Sequence, residues 1–322
     1  MSGIALALSH RVKIGLVPLK VRPIAAACLA GIILTANTAL AAPTIVRDGE
    51  FEKMVLGNGG NAGEWSPEES AIEASGKHAV KPDRTVLHWS VPVDYSAGEA
   101  AYPIGWPRVR HEIPEGPARD WSGWDFLRLH VYTDTSRTSL PSDPVGMNLY
   151  MPDKSSAYEK PLAELKKGTW TDIIVPVARM PRPGDVRTIQ FYISESDYRD
   201  HDRLDLFFDE IALLRYAEPS LFDFSPENQV MFADARYIPV RFRLAGVGPD
   251  AEPEVTCALL RTEAGSSEPV TRTAWKAKRG AGRYVLDLGS RRIVPGEYEM
   301  TAKVAGGSRS VSAHLRVVES PW

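Results

Sequence analysis

Between Asp120 and Leu214, apolar residues recur at every second position in segment after segment. That period lines one face of a half-buried strand, and it excludes the amphipathic helix as the building unit here. Leu127, Leu129 and Val131 alternate with Arg128, His130 and Tyr132. Met147, Leu149 and Met151 alternate with Asn148 and Tyr150. Ile173, Val175 and Val177 mark a third strand; Ile189, Phe191 and Ile193 mark a fourth, with Gln190 and Tyr192 on its other face. The last strand changes phase: Leu204, Leu206 and Phe208 share one parity, and Ile211 and Leu213 the other. One extra residue near Asp209-Glu210 accounts for this as a β-bulge; a bend at a sheet edge is the alternative.

The same alternation continues outside that stretch. Leu87, Trp89 and Val91 alternate with His88 and Ser90. Further runs follow at Tyr237–Leu244, Glu254–Leu260, Tyr284–Leu288 and Val311–Val317. With 25 Gly and 25 Pro among 322 residues, the fold class is all-β. The length suggests about two domains, and Ala217-Glu218-Pro219-Ser220 reads as their linker. Between the strands, Tyr102-Pro103-Ile104-Gly105-Trp106-Pro107-Arg108 carries two prolines, which exclude a central strand. Trp106 is therefore a loop aromatic, either packed over a sandwich end or free to stack on a sugar ring.

The N-terminus reads as an export signal. Arg11, Lys13, Lys20 and Arg22 precede an apolar run from Ile24 to Ala42 that ends in the small residues Ala39-Leu40-Ala41-Ala42. Residues 1–42 are assigned to it, which implies a periplasmic or extracellular protein with no stable membrane span after cleavage. An uncleaved anchor is the alternative, since the run nearly reaches the ~20 residues of a span. Cys257 is then the only cysteine of the mature chain, a small core residue by its setting in Val255-Thr256-Cys257-Ala258-Leu259. The net charge of -3 and the lack of a basic stripe give no reason to expect nucleic acid.

Three motifs carry a family resemblance: Asp120-Trp121-Ser122-Gly123-Trp124-Asp125-Phe126-Leu127, Lys167-Gly168-Thr169-Trp170-Thr171-Asp172-Ile173, and Phe208-Asp209-Glu210-Ile211-Ala212-Leu213. In this order they resemble carbohydrate-binding, galactose-binding-like jelly rolls. The resemblance implies a jelly-roll β-sandwich over 43–216, followed by a smaller immunoglobulin-like β-sandwich over 217–322. In the second, Tyr298 after Pro295-Gly296 resembles a tyrosine corner. Similar module pairs precede glycoside hydrolase domains, but these 322 residues leave no room for a catalytic barrel of ~250 residues.

Strands of a jelly roll, lettered B to I, form the sheets B-I-D-G and C-H-E-F. Counting back from the last strand places Thr85–Val91, Phe126–Tyr132, Met147–Met151 and Ile189–Ile193 in one sheet, as C, E, F and H. Its concave face would carry His88, Arg128, His130, Tyr132, Asn148, Tyr150, Gln190 and Tyr192, with Trp106 nearby. Such a face suits a glycan, with rings on sugar faces and polar side chains on hydroxyls. A solvated polar face is the plainer alternative. The resemblance also implies a structural Ca2+ on carboxylates near both ends of the domain, best matched by Glu52 and Asp209, with Glu50 third.

The leading expectation is a non-catalytic glycan- or polysaccharide-binding protein. The first alternative is a jelly-roll polysaccharide lyase or other carbohydrate-active enzyme, with His130, Tyr132, Arg128 and Tyr192 as the groups able to abstract a proton and stabilise charge. No nucleophile elbow, zinc-binding helix motif or phosphate loop appears in the sequence. The second alternative is a structural or partner-binding protein of the envelope.

Overall fold

The computed structural model describes residues 44–96, 105–152, 157–262, 269–290 and 292–321. The expected signal segment and Tyr102, Pro103 and Ile104 lie outside them. The described residues form β-strands joined by loops and short 3-10 turns. None of their helices is long and apolar enough to cross a membrane.

The first sandwich contains β1 (Ile45–Asp48), β2 (Phe51–Gly57), β3 (Trp65–Glu68), β4 (Ala71–Ser75), β5 (Val86–Pro92), β6 (Arg108–Glu112), β7 (Phe126–Thr135), β8 (Gly146–Tyr150), β9 (Tyr158–Pro161), β10 (Trp170–Pro176), β11 (Thr188–Tyr192) and β12 (Arg203–Tyr216). One sheet is built around the long β12. It pairs with β7 along one side, and with β5 and then β2 along the other; β10 extends it beyond β7. The opposing sheet runs β3-β6-β11-β8-β9. Leu127, Leu129, Val131, Met147, Leu149, Ile173, Val175, Ile189 and Phe191, all read as inward from their spacing, are buried in the core between the sheets. Burial of each such side chain contributes about 1.5–3 kcal/mol.

These pairings are those of a jelly roll, with β2, β6, β7, β8, β9, β10, β11 and β12 as strands B to I. The lettering counted from sequence is therefore off by one. Phe126–Tyr132 lies in D and not E, Met147–Met151 in E and not F, and β5 is an addition beside β12. The reason is β9. Tyr158-Glu159-Lys160-Pro161 has no apolar alternation, so it escapes a periodicity argument, yet it hydrogen-bonds β8 as strand F. The consequence is that the four strands expected to share a sheet are divided between both.

The change of phase in β12 is a bulge. Register with β7 shifts between Phe208 and Glu210, and Asp209 is the extra residue. Before it, Leu204, Leu206 and Phe208 face the core; after it, Ile211 and Leu213 do. The shift turns Glu210 to the outer face.

A second core lies under β13 (Ser220–Pro226), β14 (Val230–Phe232), β15 (Tyr237–Ala245), β16 (Glu254–Arg261), β17 (Pro269–Lys276), β18 (Gly280–Asp287), β19 (Gly296–Val304) and β20 (Ser310–Val318). Sheets β13-β15-β18 and β14-β20-β19-β16-β17 enclose it, in the manner of an immunoglobulin-like sandwich. The Tyr298 hydroxyl donates to the Val294 carbonyl at 2.6 Å, the bond its place after the turn predicts. Cys257 is buried in this core, and burial pushes its thiol up to about 12. Asp125 ties the two sandwiches together: it accepts from the backbone amides of Tyr216 and Gly246 and from Arg279 Nη2, the last at 2.7 Å.

Candidate functional site

The outer face of the β11 sheet is organised in rows across the strands. Arg108, Tyr192 and Gly146 stand in one row; Arg110, Gln190, Asn148 and Glu159 in the next; Glu112, Thr188 and Tyr150 in the third. The Tyr192 ring lies on the bare backbone of Gly146, where a Cβ would collide with it. Burial, then the nearby Glu159 carboxylate, raise the Tyr192 phenol above its ordinary value. Trp106, 47% exposed, meets that ring edge-on at 5.8 Å between centroids, and the Arg108 guanidinium lies 4.8 Å from the Trp106 ring. A groove of about 510 Å³ runs along the face, lined by Trp106, Arg110, Tyr150, Thr188 and Gln190 among others.

The polar floor beside this groove is only partly satisfied. The Asn148 Nδ2 and Gln190 Nε2 both donate to the Tyr150 hydroxyl, each over a long 3.3 Å. Asn148 is 6% exposed, and its Oδ1 has no hydrogen-bond partner among the described residues. Such an acceptor costs about 1–3 kcal/mol while it stays unpaired.

The guanidiniums of the face are all engaged. Glu68 takes both Arg108 and Arg110, the latter at 3.1 Å, and Arg187 pairs with Asp185 at 3.0 Å. Glu112 accepts from the Thr188 hydroxyl at 2.8 Å.

The other four expected ligand residues, His88, Arg128, His130 and Tyr132, sit on the outer face of the β12 sheet, on the far side of the core. There they serve one another. His88 lies between Glu73 at 3.2 Å and Asp205 at 2.9 Å, and stacks on Phe207 at 4.2 Å. Burial alone would depress the His88 imidazole, but its bonds to Asp205 and Glu73 outweigh that and raise it. His130 reaches Asp172 at 2.9 Å and stacks on Trp170. Arg128 meets Glu210 at 2.6 Å, and Lys53 meets the same carboxylate at 2.7 Å. The loop after β4 brings His78 down on Tyr132 at 3.9 Å and edge-on to Phe207 at 4.7 Å.

The single concave face expected from sequence is thus two faces. Trp106, Asn148, Tyr150, Gln190 and Tyr192 are brought together; His88, Arg128, His130 and Tyr132 are held elsewhere. A lyase centre using His130, Tyr132, Arg128 and Tyr192 together is not assembled, because Tyr192 lies across the core from the other three. His130 and Tyr192 stand on opposite sides of the core and cannot touch one ligand.

The expected calcium pair is not brought together either. Glu52 lies opposite Arg215 and holds its guanidinium at 2.6 Å. Asp209 sits six residues back along β12, about 20 Å away at the strand rise. Glu50 pairs with Arg309 at 2.8 Å. Among the described residues, no group of three or more His, Cys, Asp or Glu could hold a metal ion.

Sequence reasoning missed β6 and with it Arg108, Arg110 and Glu112. Arg108-Val109-Arg110-His111-Glu112 does alternate, but the second inward position is a histidine. His111 is buried and stacks on Trp65 at 5.0 Å.

No protein-family model and no curated protein matches the chain. Among solved structures, it is similar to a calcium-binding mutant of Bacteroides uniformis beta-glucuronidase 2, at 10% identity and a TM-score of 0.25. That overlap covers 82% of this chain and 32% of the other. Bifidobacterium dentium beta-glucuronidase overlaps with 10% identity, a TM-score of 0.23, and 84% and 48% coverage. An ectodomain of the C. elegans fusion protein EFF-1 overlaps with 9% identity, a TM-score of 0.26, and 86% and 79% coverage. The chain spans about a third to a half of the two glucuronidases. At this overlap none of their activities carries over to it; what the chain's own strands and sheets establish is an all-β sandwich fold.

Proposed function

We propose that the chain is an exported, non-catalytic glycan-binding protein whose site is the outer face of the β11 sheet. The observation that carries this reading is the meeting of Trp106 and Tyr192 beside a groove lined by Trp106, Tyr150 and Gln190, with Asn148 bonded to Tyr150 next to it. Two large rings at the mouth offer flat apolar surface to a pyranose, and amides and a phenol below offer hydrogen bonds to its hydroxyls. The basic and apolar N-terminal run supports export.

The test is Trp106→Ala combined with Tyr192→Ala in the full chain, screened on immobilised glycans beside the parent. Trp106 is half-exposed and Tyr192 half-buried; circular dichroism checks that the variant is folded. Affinity falls about a hundredfold or more as both stacking surfaces go. A folded double variant that binds as the parent does would remove this face from consideration.

A further inference from the structure

We infer that this groove selects neutral saccharides and rejects uronic or sulfated ones; the inference rests on the glycan-binding reading above and adds the ligand's chemical class. One feature sets the charge preference, and a second sets which group of the ligand seats beside the groove. The first is charge. Arg108 and Arg110 share the Glu68 carboxylate, and Arg187 is matched by Asp185. Glu112, which accepts from the Thr188 hydroxyl, lines the groove, and the exposed Glu159 stands at the end of the middle row. Three guanidiniums therefore meet four carboxylates. Among the described residues of this face, no guanidinium is left over for an acidic ligand, and a carboxylate or sulfate entering the groove would face like charge.

The second feature is the direction of the missing hydrogen bond. Asn148 Oδ1 is a buried acceptor with no donor among the described residues. A carboxylate or sulfate group, which only accepts, cannot satisfy it; a hydroxyl, which neutral and acidic sugars both carry, can, so this feature fixes which ligand group seats here while the charge of the face disfavours acidic saccharides. The Tyr150 hydroxyl occupies the spot next to it and accepts from both amides over 3.3 Å. Tyr150 is half-buried, and its two bonds are long. A sugar hydroxyl taking its place accepts from an amide N–H and donates to Oδ1, which completes the Asn148 amide. Asn148 is thus a specificity-determining residue that favours donor groups.

The experiment is calorimetry on the full chain with cellohexaose and mannohexaose as neutral probes, and hexagalacturonate and hexamannuronate as acidic ones, at low and at physiological salt. The expected result is binding of a neutral probe at least about tenfold tighter than either acidic one, with the gap widest at low salt. Asn148→Leu, which keeps the shape and removes both polar ends, weakens the neutral probe about tenfold with the fold unchanged. Equal or tighter binding of an acidic probe overturns the selectivity while leaving a glycan site in place. Full affinity of the folded Asn148→Leu variant overturns the role of Asn148. A folded parent that binds none of the four overturns the glycan reading itself.

Discussion

The two outer faces of the first sandwich carry much the same residue types and are built in opposite ways. On the β12 face, rings and charges close on one another: His88 between two acids, Lys53 and Arg128 on Glu210, His78 laid over Tyr132. On the β11 face, rings stand at a groove mouth and the amides below lack a full set of partners. Perfect satisfaction is not what separates them, since Arg128 Nε and His78 Nε2 are also buried without partners among the described residues. The separation lies in access. A loop ring covers one face, whereas the other keeps a groove of molecular size. Aromatic and polar residues on a strand therefore do not make a site until neighbouring elements leave them something to bind.

Removing the ring at the centre of the closed face challenges this contrast most strongly. Phe207 is fully buried on the β12 face, with His88, His78 and Tyr132 packed around its ring. Phe207→Ala should cost about 3–5 kcal/mol in denaturant unfolding and leave glycan affinity unchanged. Loss of affinity at intact fold would mean that the two faces are coupled. Glu210→Gln comes next. It leaves the part-buried Lys53 and Arg128 without their shared carboxylate, a loss of about 3 kcal/mol by the same measurement. A change below about 1 kcal/mol would show that water already screens this pair.

The smallest effect is a pH dependence of opposite sign at two histidines of that face. The folded imidazole of His88 is raised from 6.5 by Asp205 and Glu73 against the cost of burial. Its contribution is therefore complete below 6.5 and is lost as pH rises through the folded value. That of His78 is lowered from 6.5, by burial first and then by Lys77. Its contribution is complete above 6.5 and is lost as pH falls through the folded value. Unfolding followed over roughly pH 5 to 8 should show His88→Gln destabilising most at the acid end and His78→Gln at the basic end. Parallel curves for the two variants would contradict this account of the face.

How much of this is legible in the sequence varies by residue. Leu127, Leu129, Met147 and Phe191 announce their burial by spacing, and the parity switch at Asp209 announces the bulge. Tyr298 announces its backbone bond by its place after a Pro-Gly turn. Trp106 and Tyr192 are both legible as rings available to a ligand, though their meeting is not. The four-residue β9 gives no signal, and without it His88, Arg128, His130 and Tyr132 fall on the wrong sheet. Glu52 and Asp209 fail for a related reason. Both are acids of terminal strands, but register sets six residues between them and puts Arg215 opposite Glu52.

By itself, the sequence determined the all-β class, the inward residues of the strands whose apolar residues alternate, and the position of the bulge. These follow from a side-chain period of two and from local turn chemistry, which act within a few residues. Only the tertiary structure decided which strands are neighbours, hence which outward residues share a face. Pairing joins residues as far apart as Glu52 and Arg215, 163 positions along the chain, and no local pattern encodes that choice. It is settled by how whole sheets bury their apolar faces against each other, and the groove is what the loops and side chains then leave open.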